Sequence, residues 1–270
     1  MPLWTWFGLK EGSASTDWPL RGDAHGQDGV LGMPRYEPAR CRDDCSACAD
    51  ACMTQAIALE AGSGVEKARP RVDWGRCIVC QRCTEVCPTG AFMPSNDWAV
   101  AVTHRAELVW NPAPAHEVPA ESSRHAAAPF RRSIHVRHVD AGSCNGCESE
   151  LQALNNPFYN LHRLGIFFTA SPRFADVLLV TGSVTHAMRE VLLTTYKAMP
   201  EPKWVVATGT CAVSGGVTAG NYACGEGLDG VLPVDVYLPG CPPNPAAIIH
   251  ALQLIAGRSR ERMQGGRIER

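Results

Sequence analysis

Cys77-Ile78-Val79-Cys80-Gln81-Arg82-Cys83-Thr84-Glu85-Val86-Cys87-Pro88 sets four thiols at spacings of two, two and three residues, with a proline behind the last. A near-copy precedes it: Cys41-x3-Cys45-x2-Cys48-x3-Cys52. The likeness runs past the cysteines. Cys52-Met53-Thr54-Gln55-Ala56-Ile57 echoes Cys87-Pro88-Thr89-Gly90-Ala91-Phe92, at a shift of about 35 residues. Residues 36–97 therefore read as one duplicated unit, and Gly62-Ser63-Gly64 as a turn between short strands.

Thiols at these spacings are ligands for iron–sulfur clusters. In a bacterial two-cluster ferredoxin, three cysteines of a run hold one cluster and the fourth reaches across to the other. The duplicated unit resembles that small α+β domain. The resemblance assigns Cys41, Cys45, Cys48 and Cys87 to one [4Fe–4S] cluster, and Cys77, Cys80, Cys83 and Cys52 to a second. One departure stands in the first run, which opens with three spacer residues where two are usual. Each cluster still keeps four candidate ligands.

The remaining composition narrows the class. At 270 residues the chain has room for about two domains. Hydrophobic residues make up 45% and charged residues 19%, as in an ordinary globular protein. A formal net charge of −2 gives no electrostatic footprint for nucleic acid, and Arg131-Arg132 is too short to be a patch. Thirteen cysteines, an odd number at metal-ligand spacings, argue against a disulfide framework and for a reducing compartment. Met1-Pro2-Leu3-Trp4-Thr5-Trp6-Phe7 lacks the basic and apolar regions of a secretory signal. No stretch approaches the roughly 18 apolar residues of a membrane span. The expectation is a cytoplasmic protein, peripheral on the inner face of the cell membrane through partners.

Outside the duplicated unit the texture changes twice. Residues 1–35 read as an arm, whose Trp4, Trp6, Phe7 and Trp18 favour docking on a partner as much as loose order. Residues 98–130, with Asn111-Pro112-Ala113-Pro114 and Pro119-Ala120-Glu121-Ser122-Ser123, have the composition of a linker. Residues 131–262 alternate strand and helix signals, and 263–270 form a tail. Ser133 to Val139 alternates with period two. Ala175 to Val180 is a short apolar run, His186 to Met199 a helix stopped before Pro200, and Lys203 to Ala207 a further strand. Ala246 to Ala256 closes as a helix behind Pro242-Pro243-Asn244-Pro245. Strand, helix and strand in that order predict an open α/β sheet with helices on its faces.

Four more cysteines fall where these strands run into loops: Cys144-Asn145-Gly146-Cys147, Cys211 and Cys241. Ligands in open sheets gather at the carboxyl ends of the strands, so three loops can converge there. Neighbouring Gly142, Gly146, Gly209 and Gly240 allow close backbone approach and offer N–H groups to sulfur. A third [4Fe–4S] cluster is the natural occupant; on spacing alone a structural zinc stays open.

The words around these cysteines carry a second resemblance. Asp140-Ala141-Gly142-Ser143-Cys144-Asn145-Gly146-Cys147-Glu148, Thr208-Gly209-Thr210-Cys211-Ala212-Val213-Ser214-Gly215-Gly216 and Pro233-Val234-Asp235-Val236-Tyr237-Leu238-Pro239-Gly240-Cys241-Pro242-Pro243 resemble the 20 kDa iron–sulfur subunit of respiratory complex I. Its relatives are the small subunits of membrane-bound group 4 [NiFe]-hydrogenases, formate hydrogenlyase included. The resemblance covers about residues 131–260 and implies a flavodoxin-like open parallel sheet. It implies a partner as well, a hydrogenase large subunit or complex I 49 kDa-like subunit, with further membrane subunits behind it. Complex I members carry adjacent cysteines at the first position. The pair Cys144-x2-Cys147 sides with the hydrogenase branch.

The expectation is a small subunit relaying electrons through three [4Fe–4S] clusters to or from a separate catalytic subunit, with a soluble ferredoxin or a formate dehydrogenase-type donor behind it. The alternatives are a complex I-type subunit passing electrons to quinone and a free-standing ferredoxin-like carrier. No catalytic residue is expected in this chain. Glu148, directly after Cys147, is weighed between a first-turn helix carboxylate and a role in proton movement. Glu150 has a weaker claim, Cys224 reads as a plain thiol, and His135 and His138 lie on opposite faces of one strand. Glu107 and His116 stand in the linker.

Overall fold

A computed structural model describes residues 2–11, 29–60, 69–110 and 133–261. The turn expected at residues 62–64, the second part of the linker with His116, Trp18 and the tail lie outside them.

The duplication is visible in the backbone. Strand β1 (Arg35–Tyr36) pairs antiparallel with β4 (Phe92–Met93), and β2 (Ile57–Glu60) with β3 (Arg69–Asp73). Short helices α2 (Ala47–Asp50) and α3 (Arg82–Val86) lie within the cysteine runs and carry Cys48 and Cys83. Asp44 and Val79, at matching places in the two halves, both adopt positive φ (57° and 58°), as do Gln55 and Gly90 (54° and 64°). A β-branched residue such as Val79 rarely enters this region, so the loop around the thiols overrides local preference there. Tyr36 stacks on Phe92 with centroids 4.7 Å apart, and Trp110 meets Tyr36 edge-on at 4.6 Å.

The second half is a five-stranded parallel sheet of β6 (Ile134–Asp140), β7 (Ile166–Phe168), β8 (Val177–Thr181), β9 (Trp204–Thr208) and β10 (Val236–Leu238). The order is β10-β9-β8-β6-β7, the flavodoxin-like arrangement in which the first strand lies inside the second. Val177-Leu178-Leu179-Val180-Thr181 and Trp204-Val205-Val206-Ala207-Thr208 are buried throughout, as strands covered on both faces must be. Helix α4 (Gly146–Ala153) follows β6, α5 (His186–Ala198) follows β8, α6 (Thr210–Ser214) follows β9, and α7 (Pro245–Ile255) follows β10. Thr185 caps α5 by accepting from the Met188 amide, and Asn244 caps α7 by accepting from Ala247 with Pro245 in the first turn. The predicted strands and helices of this half fall within about two residues of those observed, the ordinary scatter of element ends.

Two boundaries differ from the sequence reading. The ferredoxin half begins before residue 36: Gly32 and Met33 donate to Ser95 and Asp97 carbonyls (2.8 and 3.1 Å), and Met33 is buried. A side chain at Gly32 would collide with the Asp97 backbone. The first part of the expected linker is also structure. Ala99 to Val102 are buried, Leu108 is fully buried, and β5 (Val109–Trp110) adds a third strand to β2 and β3. Proline and alanine dominate only beyond residue 110, so the composition of the whole stretch hid an ordered beginning.

Helix α1 (Leu3–Glu11) has no buried residue, and Leu3, Trp4, Trp6, Phe7 and Leu9 are all exposed. No helix among the described residues is long and apolar enough to cross a membrane.

Candidate metal centres

The duplicated half presents sulfur to backbone amides twice over. The Ala56 N–H donates to Cys52 Sγ at 3.2 Å, and the Ala91 N–H to Cys87 Sγ at 3.2 Å. Thr54 and Thr89 hydroxyls lie 3.8 and 3.7 Å from the same sulfurs. The Val79 N–H donates to Cys77 Sγ at 3.4 Å, a consequence of its positive φ. Amides aimed at sulfur stabilise thiolate and tune a metal bound to it.

Cys52, Cys77, Cys80 and Cys83 line one cavity, walled by Ile57, Val72 and Trp74, with an empty volume, open mouth included, of about 420 Å³. Burial pushes the Cys77 and Cys83 thiols up to about 12, and both feel the other thiols of the group, Cys52 included. The fourth cysteine of the first run thus lines the same cavity as three cysteines of the second. Burial likewise raises Cys48 to about 11, followed by the charges of Cys41 and Cys45. Cys87 goes the other way: burial raises it, but the amides of Phe92, Thr89 and Ala91 and the Thr89 hydroxyl outweigh that and lower it.

In the α/β half the four expected cysteines stand at the carboxyl ends of three strands. Cys144 lies in the loop between β6 and α4 and Cys147 in the first turn of α4, with Asn145 at φ 67° turning the chain between them. Cys211 sits in the first turn of α6, one residue past Thr210, and Cys241 follows β10 ahead of a cis proline, Pro242. The loops interlock: Gly209, at φ 87°, faces Cys147 Sγ so closely that a Cβ there would lie 2.7 Å from the sulfur. A Cβ on Gly146 would meet Cys144 Sγ at 3.5 Å and Pro242 at 3.9 Å. Burial raises Cys147, whose thiolate also feels Glu148, Cys211, Cys241 and Cys144. Burial takes Cys211 up to about 11, with Cys241 and Cys144 next in effect, and raises Cys241, with Cys144 adding to it.

These groups fit a polynuclear iron–sulfur group better than one ion. Several partly buried thiols that raise one another need a multivalent cation before all can ionise. Among the described residues, however, no three His, Cys, Asp or Glu side chains are gathered as for a single metal ion. No described cysteine is in a disulfide.

Beside the α/β thiols lies a polar cluster that sequence reasoning saw only as Glu148. Glu148 Oε2 accepts from Ser143 Oγ at 2.7 Å, and Oε1 accepts from Thr181 Oγ1. His138 Nε2 lies 2.8 Å from Thr181 Oγ1 and 3.4 Å from Glu148 Oε1. Asp140 Oδ1 accepts the Gly142 and Ser143 amides and so shapes the loop into Cys144. His135 points the other way, stacking on Phe167 beside Asp176. Burial raises the Glu150 carboxyl. Glu107 is buried in the turn Arg105–Leu108. Cys224 is buried, accepts from Ser183 Oγ at 3.2 Å, and stands close enough to Cys211 to raise it.

Thiol runs in a duplicated half, with four more thiols gathered at the strand ends of a doubly wound sheet, define an iron–sulfur protein of the oxidoreductase class. Residues 144–255 match the family described as NADH ubiquinone oxidoreductase, 20 Kd subunit, and residues 40–91 match the 4Fe-4S dicluster domain. The α/β half is thus similar to the complex I 20 kDa subunit family, and a stretch matching the 4Fe–4S dicluster domain lies in front of it. Among its relatives is formate hydrogenlyase subunit 7 of Escherichia coli (strain K12), 44% identical over 128 residues, which are 47% of this chain and 50% of that protein. The chain thus spans about half the length of this curated relative. Two solved structures are similar. One is the membrane-bound sulfane sulfur reductase, an archaeal respiratory membrane complex, at 34% identity over 48% of this chain and 71% of that one (TM-score 0.43). The other is an NAD+-reducing [NiFe]-hydrogenase in the H2-reduced state, at 22% identity over 47% and 94% (TM-score 0.38).

Proposed function

We propose that this chain is the electron-transferring small subunit of a membrane-associated complex of the group 4 [NiFe]-hydrogenase kind. Its ligand sets are Cys41, Cys45, Cys48 and Cys87; Cys77, Cys80, Cys83 and Cys52; and Cys144, Cys147, Cys211 and Cys241. When bound, three [4Fe–4S] clusters supply reversible one-electron chemistry. The protein's share is to hold the thiolates, aim amides at their sulfurs and keep water from the buried ones.

The observation that carries this reading is the seating of the Cys77 loop directly on the Cys211 loop, through the hydrogen bond from Thr210 Oγ1 to the Cys77 carbonyl at 2.8 Å. A ferredoxin half docked in this way serves as a wire feeding the α/β site. The exposed Cys144 and Cys241 then mark the face offered to a catalytic large subunit, related to the hydrogenase large subunit or the complex I 49 kDa subunit. Further subunits of the complex would hold the chain at the inner face of the membrane, with a soluble ferredoxin or formate dehydrogenase-type protein as electron donor. The Cys144-x2-Cys147 spacing and the 44% identity to a formate hydrogenlyase subunit favour the hydrogenase branch over quinone reduction.

Anaerobic purification with native partners, a nickel and iron count and a hydrogen-evolution assay with a reduced low-potential dye test the proposal. Nickel near one per complex with dye-driven hydrogen supports it. Abundant iron without nickel, and quinone-dependent turnover, assign the chain to the complex I side. Iron in a chain that purifies alone makes it a free-standing carrier.

A further inference from the structure

Thr210 is 1% exposed and stands between the two halves of the molecule. Its hydroxyl donates to the Cys77 carbonyl at 2.8 Å and accepts from the Gly240 amide at 3.1 Å. Its own amide donates to the Gly240 carbonyl at 2.9 Å. Cys77 belongs to the ferredoxin half, Cys211 is the next residue along the chain, and Gly240 precedes Cys241. One side chain, on the residue before Cys211, therefore touches the backbone at a cysteine of one site and beside Cys241 of another. Helix α6 packs against the turn Trp74–Arg76, which delivers Cys77 to this contact.

A threonine in a helix commonly turns its hydroxyl back to a carbonyl of the preceding turn. At the start of α6 that option is replaced by a bond across the domain boundary. Both partners of the hydroxyl are backbone groups in a protected place, where an unmade bond is costly.

We propose that Thr210 is a positioning residue for electron transfer between the ferredoxin half and the α/β half. Its hydroxyl fixes the Cys77 loop against the Cys211 and Cys241 loops, and so fixes the separation across which a single electron passes. The step moves one electron from a reduced iron–sulfur site in one half to an oxidised one in the other. No bond breaks, and the hydroxyl keeps its proton. The inference rests on the iron–sulfur reading above.

The test compares Thr210→Val, which keeps the shape and loses the hydroxyl, with Thr210→Ser, which keeps the hydroxyl, in the anaerobically purified complex. Iron per chain, deuterium exchange of the peptide holding Gly240, and freeze-quench electron paramagnetic resonance of inter-site electron passage are measured together. Thr210→Val should retain its iron, exchange the Gly240 amide about tenfold faster or more, and slow electron passage by roughly tenfold, while Thr210→Ser stays near wild type on both. Unchanged passage in Thr210→Val overturns the proposal, as does equal slowing in the two variants at full iron. Should Thr210→Val fail to assemble, slowing in Thr210→Ser or an unprotected Gly240 amide in the wild type overturns it. A wild-type α/β half without iron sinks the functional reading instead, and the exchange measurement still reports on the bridge.

Discussion

Val102 and Tyr237 exchange two backbone hydrogen bonds, 3.0 Å from the Val102 amide to the Tyr237 carbonyl and 2.8 Å in return. Tyr237 lies in β10, the edge strand of the parallel sheet, so the incoming segment pairs antiparallel along an otherwise open edge. Next to it the Thr103 amide and hydroxyl both donate to Glu261 Oε1 at 2.7 Å. The chain leaving the ferredoxin half is thereby built into the second half before it departs.

Val102→Pro removes one of these donors from a fully buried residue. The expected loss is about 1–3 kcal/mol of stability, with earlier proteolytic separation of the two halves. Anaerobic thermal unfolding and limited proteolysis check it; an unshifted transition would mean that the edge pairing does not hold the halves together.

Arg105 acts from the same segment on the ferredoxin side. Its Nη2 lies 2.7 Å from Asp73 Oδ2, while Asp73 Oδ1 accepts the Gly75 amide at 2.9 Å ahead of Cys77. Both side chains keep some solvent contact, which moderates the pair's worth. Arg105→Met strands the Asp73 carboxylate and should cost about 1–3 kcal/mol, with Arg105→Lys intermediate. Equal melting of Arg105→Met and wild type would mean that the pair adds nothing to stability.

How far the sequence told this story depends on what kind of signal each part leaves. The cysteine spacings and the 35-residue echo around Cys52 and Cys87 were legible because a duplicated ligand set leaves a period. Buried parallel strands such as Val177 to Thr181 were legible as apolar runs. The three-residue strand Ile166–Phe168 was not, because three residues are too few to show a period. Trp98 to Trp110 was absorbed into a linker because pairing with Tyr237 and Val72 is long-range and leaves no local pattern. The partners of Glu148, and the reach of Thr210 to Cys77, were invisible for the same reason: single hydrogen bonds between distant residues carry no periodicity.

Gly209 gives a test of the α/β thiol site that leaves every cysteine in place. Its φ of 87° is strained for any other residue, and an added methyl would lie 2.7 Å from Cys147 Sγ. Gly209→Ala should displace that sulfur and cost about 1–3 kcal/mol. Iron in the α/β half should fall while ferredoxin signals persist. Full iron with unchanged spectra would show that the loop tolerates the crowding.

Cys241→Ser and Cys224→Ala make a matched pair. Cys241 belongs to the proposed α/β ligand set, whereas Cys224 is buried against Ser183. The first should remove one cluster's worth of iron and uncouple the partner. The second should leave the iron count as it is, with a small loss of packing, about 1 kcal/mol or less. Iron loss on changing Cys224, or none on changing Cys241, would redraw the ligand set.

His138 supplies the pH dependence. Burial lowers its pKa below the ordinary 6.5, and Arg137 adds to this; Glu148 on α4 and Asp140 on its own strand oppose it without winning. The folded protein therefore takes up this proton at lower pH than the unfolded chain does. Above about pH 6.5 the imidazole is neutral in both states, and its contribution to stability is complete. As pH falls through 6.5 toward the lowered folded value, the unfolded chain gains a proton that the folded one refuses, and stability drains away. His138→Gln can keep a hydrogen bond to Thr181 but cannot titrate. The wild type should lose more stability than His138→Gln between about pH 7.5 and about pH 5.5, measured by anaerobic denaturant unfolding. The difference between the two proteins isolates this residue from the acid sensitivity of the rest of the chain. Parallel loss in both would mean that His138 is protonated alike in the folded and unfolded states.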